Sequence, residues 1–301
     1  MTSQASDSKL PANQPAESGL KSQPSSFSPS LSPLTPPPHF HSRPSLLVVG
    51  LDSMIGSALM QEAEARGIPC QGTSRRPGAR WHLDLAAPLK SWQLPENATT
   101  AILCAARTRL ADCETRPEET HTINVTATVA LARLLNSQGT RIVFISTNQV
   151  FPPDLADAPD ESSPVAPVTA YGRQKAEAEK AILGLSPKNA VIRLTKVISP
   201  DHGLLAEWKK MIANGYPIKA YSNLKISPIP LLTTSREILN IALSDREGIF
   251  HLGGSRALSY FDLAKQFFSS HSTSLFQATN AIKSSAPPAL RSSKVNPILI
   301  D

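Results

Sequence analysis

The stretch Leu46-Leu47-Val48-Val49-Gly50-Leu51-Asp52-Ser53-Met54-Ile55-Gly56 decides the fold. Its first four residues are a short apolar run, which is typical of a parallel strand buried on both faces. From Gly50 onward a helical pattern begins, and it continues to a stop at Gly67. A strand, a glycine turn and a helix in this order form the context in which such a turn can bind the phosphates of a dinucleotide.

Each position of this turn has an expected task. Gly50 allows the tight turn, and Gly56 lets the helix pack closely on the strand. The free N–H groups at the start of the helix, around Met54 and Ile55, would hold a pyrophosphate. Ser53 stands where a glycine usually lets the backbone approach the phosphates, and its hydroxyl can itself donate a hydrogen bond. An ordinary strand-to-helix turn is the alternative reading of this stretch.

The residues after the second predicted strand, 68–72, indicate which dinucleotide binds. At this place an acidic residue suits the ribose hydroxyls of NAD, whereas an arginine suits the 2′-phosphate of NADP. The sequence has Arg75 and Arg76 there and no acid. This favours NADPH, with NADH left open; two solvated loop charges are the alternative. A third strand is expected at 82–85, with Asp84 and Leu85 at the adenine edge.

The alternation of strands and helices then continues, which predicts an α/β fold with a Rossmann-like, doubly wound parallel sheet. Ala105 and Ala106, at the end of one strand, are small enough for a cofactor to lie against the backbone. Beyond residue 195 the pattern loosens, so a smaller, reduced C-terminal lobe is expected. The elements predicted after 85 are strands at 100–106, 141–145, 189–194 and 248–252 and helices at 120–135, 169–183, 204–214, 235–243 and 259–268, the last capped by Ser259.

Composition divides the chain into three parts. Residues 1–44 are dominated by Ser and Pro and predict a disordered tail. Residues 45–195 are expected to form the dinucleotide-binding domain, and 196–301 the smaller substrate-binding lobe, which ends as loop. The tail has no uninterrupted apolar run of the signal-peptide kind, and a transit peptide is only weakly supported. His39 and His41 are read as incidental, and no metal site is predicted.

Bulk properties exclude several classes of function. No apolar run is long enough to span a bilayer, so we expect a soluble protein without a membrane partner. The three cysteines lack C-x-x-C spacing and fit reduced thiols in the cytoplasm. The net charge is +6 and the pI about 9.3, but Lys and Arg are scattered and do not cluster on one element. The sequence therefore predicts no nucleic-acid partner.

The candidate catalytic residues lie beyond the strand predicted at 141–145. Tyr171 and Lys175 are four residues apart on a predicted helix, so their side chains share one face. A nearby ammonium favours the phenolate and is expected to lower the pKa of the tyrosine. Thr147 follows a predicted buried strand, at the sheet edge where ligands of doubly wound folds bind. Taken alone, the Tyr-Lys spacing is common, and two surface residues on a polar helix are the alternative.

Taken together, Gly50 and Gly56, Ser146-Thr147 and Tyr171-x-x-x-Lys175 resemble the extended short-chain dehydrogenase/reductase superfamily. Within it, the chain is most similar to the dTDP-4-dehydrorhamnose reductase group, whose Ser-Thr-Asp-Tyr-Val-Phe stretch corresponds to residues 146–151. Asn148 and Gln149 replace the acid and the aromatic residue of that stretch, on the substrate side. The similarity covers roughly residues 45–295 and extends to Ile123-Asn124-Val125-Thr126, Val191-Ile192-Arg193-Leu194 and Gly248-Ile249-Phe250-His251-Leu252.

The resemblance implies an NADPH-dependent oxidoreductase that reduces a 4-keto nucleotide sugar, as in dTDP-rhamnose biosynthesis. Tyr171 would donate the proton, Lys175 would hold the nicotinamide ribose and lower the tyrosine pKa, and Thr147 would hydrogen-bond the carbonyl oxygen. The partner is then a small nucleotide sugar, and a homodimer is left open. Two alternatives remain: an epimerase or dehydratase of the same superfamily, and a dinucleotide-binding regulatory subunit with little turnover.

Overall fold

The computed structural model describes residues 45–269, 275–281 and 287–299 of the chain. The tail predicted at 1–44 lies outside these residues. Six strands form the main sheet and six short strands form three separate pairs. In chain order the strands are β1 Leu46–Val49, β2 Cys70–Thr73, β3 Thr100–Leu103, β4 Arg141–Thr147, β5 Ala190–Leu194, β6 Val197–Ile198, β7 Ile218–Tyr221, β8 Lys225–Ile226, β9 Ile229–Pro230, β10 Gly248–Leu252, β11 Leu258–Ser259 and β12 Phe276–Thr279.

The main sheet has the order β10-β5-β4-β3-β1-β2, and every neighbouring pair in it is parallel. This confirms the predicted doubly wound α/β fold. The chain runs outward in one direction from β1 to β2 and in the other from β3 to β10. The strand order therefore reverses between β1 and β3, which is where ligands bind in such sheets.

Eight α-helices connect the strands of the described chain. Side-chain oxygens of Ser53, Thr169 and Ser259 accept from backbone N–H groups at the starts of three of them. The cap predicted at Ser259 is thereby confirmed. The helices are α1 Met54–Ala65, α2 Leu110–Thr115, α3 Pro117–His121, α4 Thr128–Ser137, α5 Ala170–Leu185, α6 Gly203–Ala213, α7 Leu231–Ala242 and α8 Tyr260–Phe267.

Apolar side chains cover both faces of the main sheet. On one face α1 and α7 pack on the sheet with Leu59, Ala63 and Ile238. On the other face α4 and α5 pack with Leu131 and Ile182. All residues of β1, β3 and β5 are buried, as the apolar runs predict. This rigid sheet fixes the positions of the loops at its carboxyl edge.

A smaller apolar cluster lies in the C-terminal part of the chain. Trp208 of α6, Ile218 of β7 and Leu263 of α8 are buried in it. The intervening α7 and β10 pack instead with the main sheet. The division of the chain at residue 195 stays a prediction, and the described residues 287–299 contain only one isolated bridge, between Gly254 and Ile298.

Two predicted elements differ from the structure. The strand expected at 82–85 is wrong, because Asp84 Oδ1 accepts from Ala86 N (2.9 Å) and bends the chain into a turn. Leu83 and Leu85 are nevertheless buried, which explains the misleading alternation. The helix expected at 120–135 is interrupted by a π-helical segment, Thr122–Ala127.

Candidate active site

A cleft of about 260 Å³ lies at the point where the strand order reverses. Gly50 lines it and has φ +90°, a conformation that side chains rarely adopt. A Cβ on Gly50 would lie 2.9 Å from the Cβ of Ala105, so the turn needs both the glycine and a small neighbour. The cleft is lined by Gly50, Asp52, Ser53, Arg75, Leu83, Asp84, Leu85, Cys104, Ala105, Ala106, Arg107, Thr108 and Ile123.

The start of α1 is built by contacts within the glycine turn. The hydroxyl of Ser53 donates to Gly50 O (2.8 Å) and accepts from Gly56 N (3.0 Å). Gly56 is required because a Cβ there would lie 2.2 Å from Gly50 O. The backbone N–H groups of Met54 and Ile55 are in the first turn of α1, where a helix offers its N–H groups no carbonyl partner. A pyrophosphate is the kind of group that such a helix start binds.

The two predicted arginines have different surroundings. Arg76 forms an ion pair with Asp52 (3.0 Å), and the hydroxyl of Ser74 also donates to Asp52. Arg75 lines the cleft and, among the described residues, has no ion-pair partner within 4.0 Å. Arg107 also lines the cleft without an ion-pair partner among the described residues, so two charges there, those of Arg75 and Arg107, are free to meet an anion.

The three candidate catalytic residues share a second cavity of about 460 Å³. Thr147, Tyr171 and Lys175 all line it, and Cys104, Ala106 and Thr108 line both this cavity and the cleft. The rest of its lining comes from several elements of the chain. It consists of Met54, Ile55, Leu110, Ile145, Ser146, Asn148, Gln149, Leu194, Thr195, Lys196, Val197, Leu224, Lys225, Ile226, Tyr260, Pro287 and Pro288.

Thr147 is the last residue of β4 and begins a 3-10 turn, Asn148–Val150. Its hydroxyl accepts from Gln149 N (3.2 Å), which fixes the side chain at the sheet edge. The same hydroxyl donates weakly to Asn148 Oδ1 (3.4 Å). The hydroxyl proton of Thr147 is therefore available to a better acceptor in the cavity.

Tyr171 and Lys175 lie one turn apart on α5, and both are buried. Burial raises the pKa of Tyr171 above its ordinary value. Burial lowers the pKa of Lys175 to about 7, although Glu179 acts in the opposite direction. The ammonium of Lys175 donates to Ile145 O (2.6 Å) and lies 3.8 Å from the ring centroid of Phe144. These contacts hold Lys175 at the end of β4.

Behind Lys175 the same helix face continues into a buried polar network. Glu179 accepts from Arg193 Nη2 (2.7 Å) and from the hydroxyl of Ser146. His251 Nε2 lies 3.4 Å from Arg193 Nη1, while His251 Nδ1 donates to Arg291 O (2.9 Å). Burial lowers the pKa of His251, which matches a neutral ring that donates on one side and accepts on the other.

Comparison with known proteins places the chain in a family. The model of the family described as the RmlD substrate binding domain matches residues 44–295. The chain belongs to this family. A dTDP-4-dehydrorhamnose reductase of Mycolicibacterium smegmatis is 26% identical over 227 residues, 74% of this chain and 68% of the relative. A dTDP-4-keto-6-deoxy-D-glucose reductase of Streptomyces niveus is 24% identical, over 74% of this chain and 77% of the relative.

Solved structures show the same fold. The dTDP-4-dehydrorhamnose reductase of Bacillus anthracis, determined in complex with NADP, has a TM-score of 0.71 at 19% identity and covers 82% of this chain and 89% of its own. The family and the α/β architecture expected from the sequence are thus both confirmed. The roles of individual residues of this RmlD family member stay predictions.

One electrostatic expectation for this RmlD family chain is wrong. Lys175 is expected to lower the pKa of Tyr171, but burial raises it. Lys175 itself gives its hydrogen bond to Ile145 O. Without a ligand charge nearby, the phenol therefore keeps its proton.

Several residues that build the site were not predicted as site residues from the sequence. A Cβ on Gly172 would lie 2.2 Å from Gln149 O, so this glycine allows α5 to approach the turn that carries Thr147. Asn124, in the π-helical segment, donates to Gln174 Oε1 (2.8 Å) and accepts from Arg107 N (2.7 Å). The available signals were the glycine directly after the candidate tyrosine and the family-like stretch 123–126 around Asn124.

Two absences concern the described residues alone. Within 45–269, 275–281 and 287–299, no helix is long and apolar enough to cross a membrane. In the same ranges, no group of three or more His, Cys, Asp or Glu side chains is arranged to hold a metal ion.

Proposed function

We propose that this protein is an NADPH-dependent reductase of a 4-keto nucleotide sugar, with a dTDP-linked 4-keto-6-deoxy sugar as the first candidate. The observation that supports this most is that Thr147, Tyr171 and Lys175 line one cavity, which shares Cys104 and Ala106 with the dinucleotide-type cleft. The names of the related reductases point to the same reaction.

The side chains suit carbonyl reduction. NADPH, when bound in the cleft, supplies the hydride. Thr147 donates a hydrogen bond to the carbonyl oxygen and stabilises the negative charge that develops there. Tyr171, whose raised pKa keeps it protonated, gives its proton to that oxygen as general acid. Lys175, when protonated, provides a positive charge on the same helix face and stabilises the phenolate that remains.

The far side of the cavity suits the nucleotide part of the substrate. Lys196 and Lys225 line it, and neither has an ion-pair partner within 4.0 Å among the described residues. Two free ammonium groups can neutralise a diphosphate. Tyr260 adds an aromatic surface to the same wall, where a nucleobase can stack.

The residues of the cleft support NADPH as the cofactor. Gly50 and the start of α1 suit the pyrophosphate, while Arg75 suits the 2′-phosphate. An epimerase or dehydratase returns its nicotinamide to the starting state and has no need for NADPH, so Arg75 favours the reductase. A measurement of turnover decides between the reductase and the regulatory-subunit alternative. The cytoplasmic location and a homodimer stay predictions.

Turnover tests the proposal directly. The full-length protein is incubated with NADPH and a panel of 4-keto nucleotide sugars that differ in base and sugar, and the absorbance of the reduced nicotinamide is followed. We expect oxidation that depends on the sugar, with a rate at least a hundredfold lower in Tyr171→Phe (about 10²–10⁴ for loss of a general acid). Tyr216→Phe is the control, because Tyr216 is 64% exposed and outside the cavity. NADPH binding without reduction of any sugar would support the regulatory alternative.

A further inference from the structure

The C-terminal strap, defined as residues 287–299, forms part of the wall of the catalytic cavity. Pro287 and Pro288 line the same cavity as Thr147 and Tyr171. Strand β8 lies beside them and is joined to the strap by a hydrogen bond from Ser227 N to Pro288 O (2.8 Å). The dimensions of the cavity therefore depend on where the strap is held.

Most of the strap is fixed at a distance from the catalytic residues. Leu290 is buried against Val150 and Phe151. Glu161 accepts from Ser293 N (3.1 Å) and from the hydroxyl of Ser292. These contacts hold the strap on the body of the protein, but none of them touches the part that faces the cavity.

Asn148 joins the cavity-facing part of this wall to the catalytic turn by a hydrogen bond. Its Nδ2 donates to Pro287 O (2.7 Å), and its Oδ1 accepts from the hydroxyl of Thr147 (3.4 Å). The orientation of the amide follows from the partner, because a backbone carbonyl can only accept. One amide thus contacts both the candidate oxyanion donor and the opposing wall.

We propose that Asn148 is a positioning residue that sets the distance between the Thr147 turn and the C-terminal strap and so determines how tightly the sugar is held. This inference rests on the proposed reductase function. An amide suits this position because it offers a donor to the strap and an acceptor to Thr147. A carboxylate of the same shape would place a negative charge against Pro287 O and push the strap away.

The test is a pair of substitutions that remove the Nδ2 donor of Asn148 without enlarging the side chain. Asn148→Asp replaces the Nδ2 donor with a carboxylate oxygen, which can only accept when it is ionised. Asn148→Ala removes the donor without adding charge. For Asn148→Asp we expect the KM for the nucleotide sugar to rise about tenfold, the factor that corresponds to about 1.4 kcal/mol. We expect kcat and the NADPH Kd to stay within twofold, and Asn148→Ala to raise KM about threefold.

The second readout needs no turnover. Trypsin can cleave the strap after Arg291 and Lys294, and mass spectrometry follows the release of the C-terminal peptides. We expect cleavage of Asn148→Asp to be several times faster than cleavage of the wild type. Asn214→Asp is the matched control, because Asn214 Nδ2 also donates to a carbonyl at 2.7 Å, that of Lys210, outside the cavity.

The two readouts separate the possible failures. If KM and cleavage are both unchanged in Asn148→Asp, the proposal is overturned, whether or not kcat falls. If the wild type reduces none of the sugars, the reductase function fails, but faster cleavage of Asn148→Asp would still show that Asn148 holds the strap. If Asn148→Asp does not fold, Asn148→Ala decides by the same two measurements.

Discussion

At the scale of the residue, the site depends on how burial changes two ionisable groups. Tyr171 keeps its proton because burial disfavours the phenolate. Lys175 has a pKa of about 7, so its charge at neutral pH is sensitive to any anion that enters the cavity. A substrate diphosphate or a developing oxyanion would favour the charged form. Burial thus prepares a proton donor and a cation that respond to ligand binding.

The lowered pKa of Lys175 predicts a pH dependence of stability. In the unfolded chain Lys175 titrates near its ordinary value of 10.5, and in the folded chain near 7. Between these values the unfolded state binds more protons, so the free energy of unfolding rises with pH. Urea unfolding at pH 7 and pH 9 should show that the wild type gains about 2 kcal/mol relative to Lys175→Met.

A control on the same helix makes this comparison specific. Lys180 is exposed on α5, so Lys180→Met should show the pH dependence of the wild type. Parallel pH dependences of the wild type and Lys175→Met would contradict the account of Lys175.

The sequence points to candidate catalytic residues, but it does not predict their electrostatics. Thr147, Tyr171 and Lys175 were identified by spacing and by their place after predicted strands. The pKa of Tyr171 depends on burial among residues such as Leu110 and Cys113. These residues are far from Tyr171 in the chain, so no local sequence pattern indicates the burial. The contact of Asn148 with Pro287 joins residues that are 139 positions apart, so sequence spacing offers no signal for it.

At the scale of the element, we expect the glycine turn and the loop after β2 together to select the dinucleotide. Ser53 uses its hydroxyl inside the turn, bonded to Gly50 O and Gly56 N. The Ser53 hydroxyl therefore stabilises the start of α1 and does not have its proton free for a phosphate. Of the two arginines after β2, we therefore expect Arg75 to bind the 2′-phosphate.

The different surroundings of the two arginines predict different losses of affinity. Arg75→Ala should weaken NADPH binding about tenfold or more and leave NADH binding within twofold, because a charged hydrogen bond to phosphate is lost. Arg76→Ala should have a smaller effect, since Arg76 pairs with Asp52. Titration of cofactor fluorescence measures both, with Arg80→Ala as the control because Arg80 is exposed and outside the cleft. Equal losses for NADPH and NADH in Arg75→Ala would contradict this assignment.

Long, buried elements were predicted more accurately than irregular ones. The predicted and observed bounds of β10 agree, and those of α5 differ by one or two residues, because apolar runs and helical periodicity are local signals. The turn at 82–85 was mistaken for a strand because Leu83 and Leu85 alternate with polar residues. The π-helical segment was not predicted. Its Asn124 bonds to Arg107 and Gln174, which are distant in the chain, and such contacts leave no local sequence pattern.

At the scale of the whole molecule, one buried network connects the catalytic helix, the sheet and the strap. Glu179 of α5 pairs with Arg193 of β5, which in turn approaches His251 of β10. His251 donates to Arg291 O in the strap. Because both partners of the ion pair are buried, each depends on the other for its charge to be compensated.

This dependence predicts a large loss of stability from a single substitution. Arg193→Met leaves the Glu179 carboxylate buried without its partner and should lower the free energy of unfolding by about 3–5 kcal/mol. The double variant Glu179→Gln with Arg193→Met removes both charges and should regain much of that loss. Urea unfolding measures each variant.

An exposed arginine provides the comparison for this prediction. Arg116 pairs with Glu119 at the surface, and Arg116→Met should change the free energy of unfolding by less than about 1 kcal/mol. A loss of the same size for Arg193→Met as for Arg116→Met would show that the buried network does not stabilise the fold.

The proposed reaction can be tested most directly by following the transferred hydrogen. The wild-type protein is incubated with NADPH carrying deuterium at both positions of nicotinamide C4 and with a dTDP-linked 4-keto-6-deoxy sugar, and the product is analysed by mass spectrometry and NMR. We predict a product that carries deuterium at C4 of the sugar with the wild type, and no such product within the same time with Tyr171→Phe. A wild-type protein that binds the labelled NADPH but leaves the 4-keto sugar unreduced and unlabelled would contradict the account.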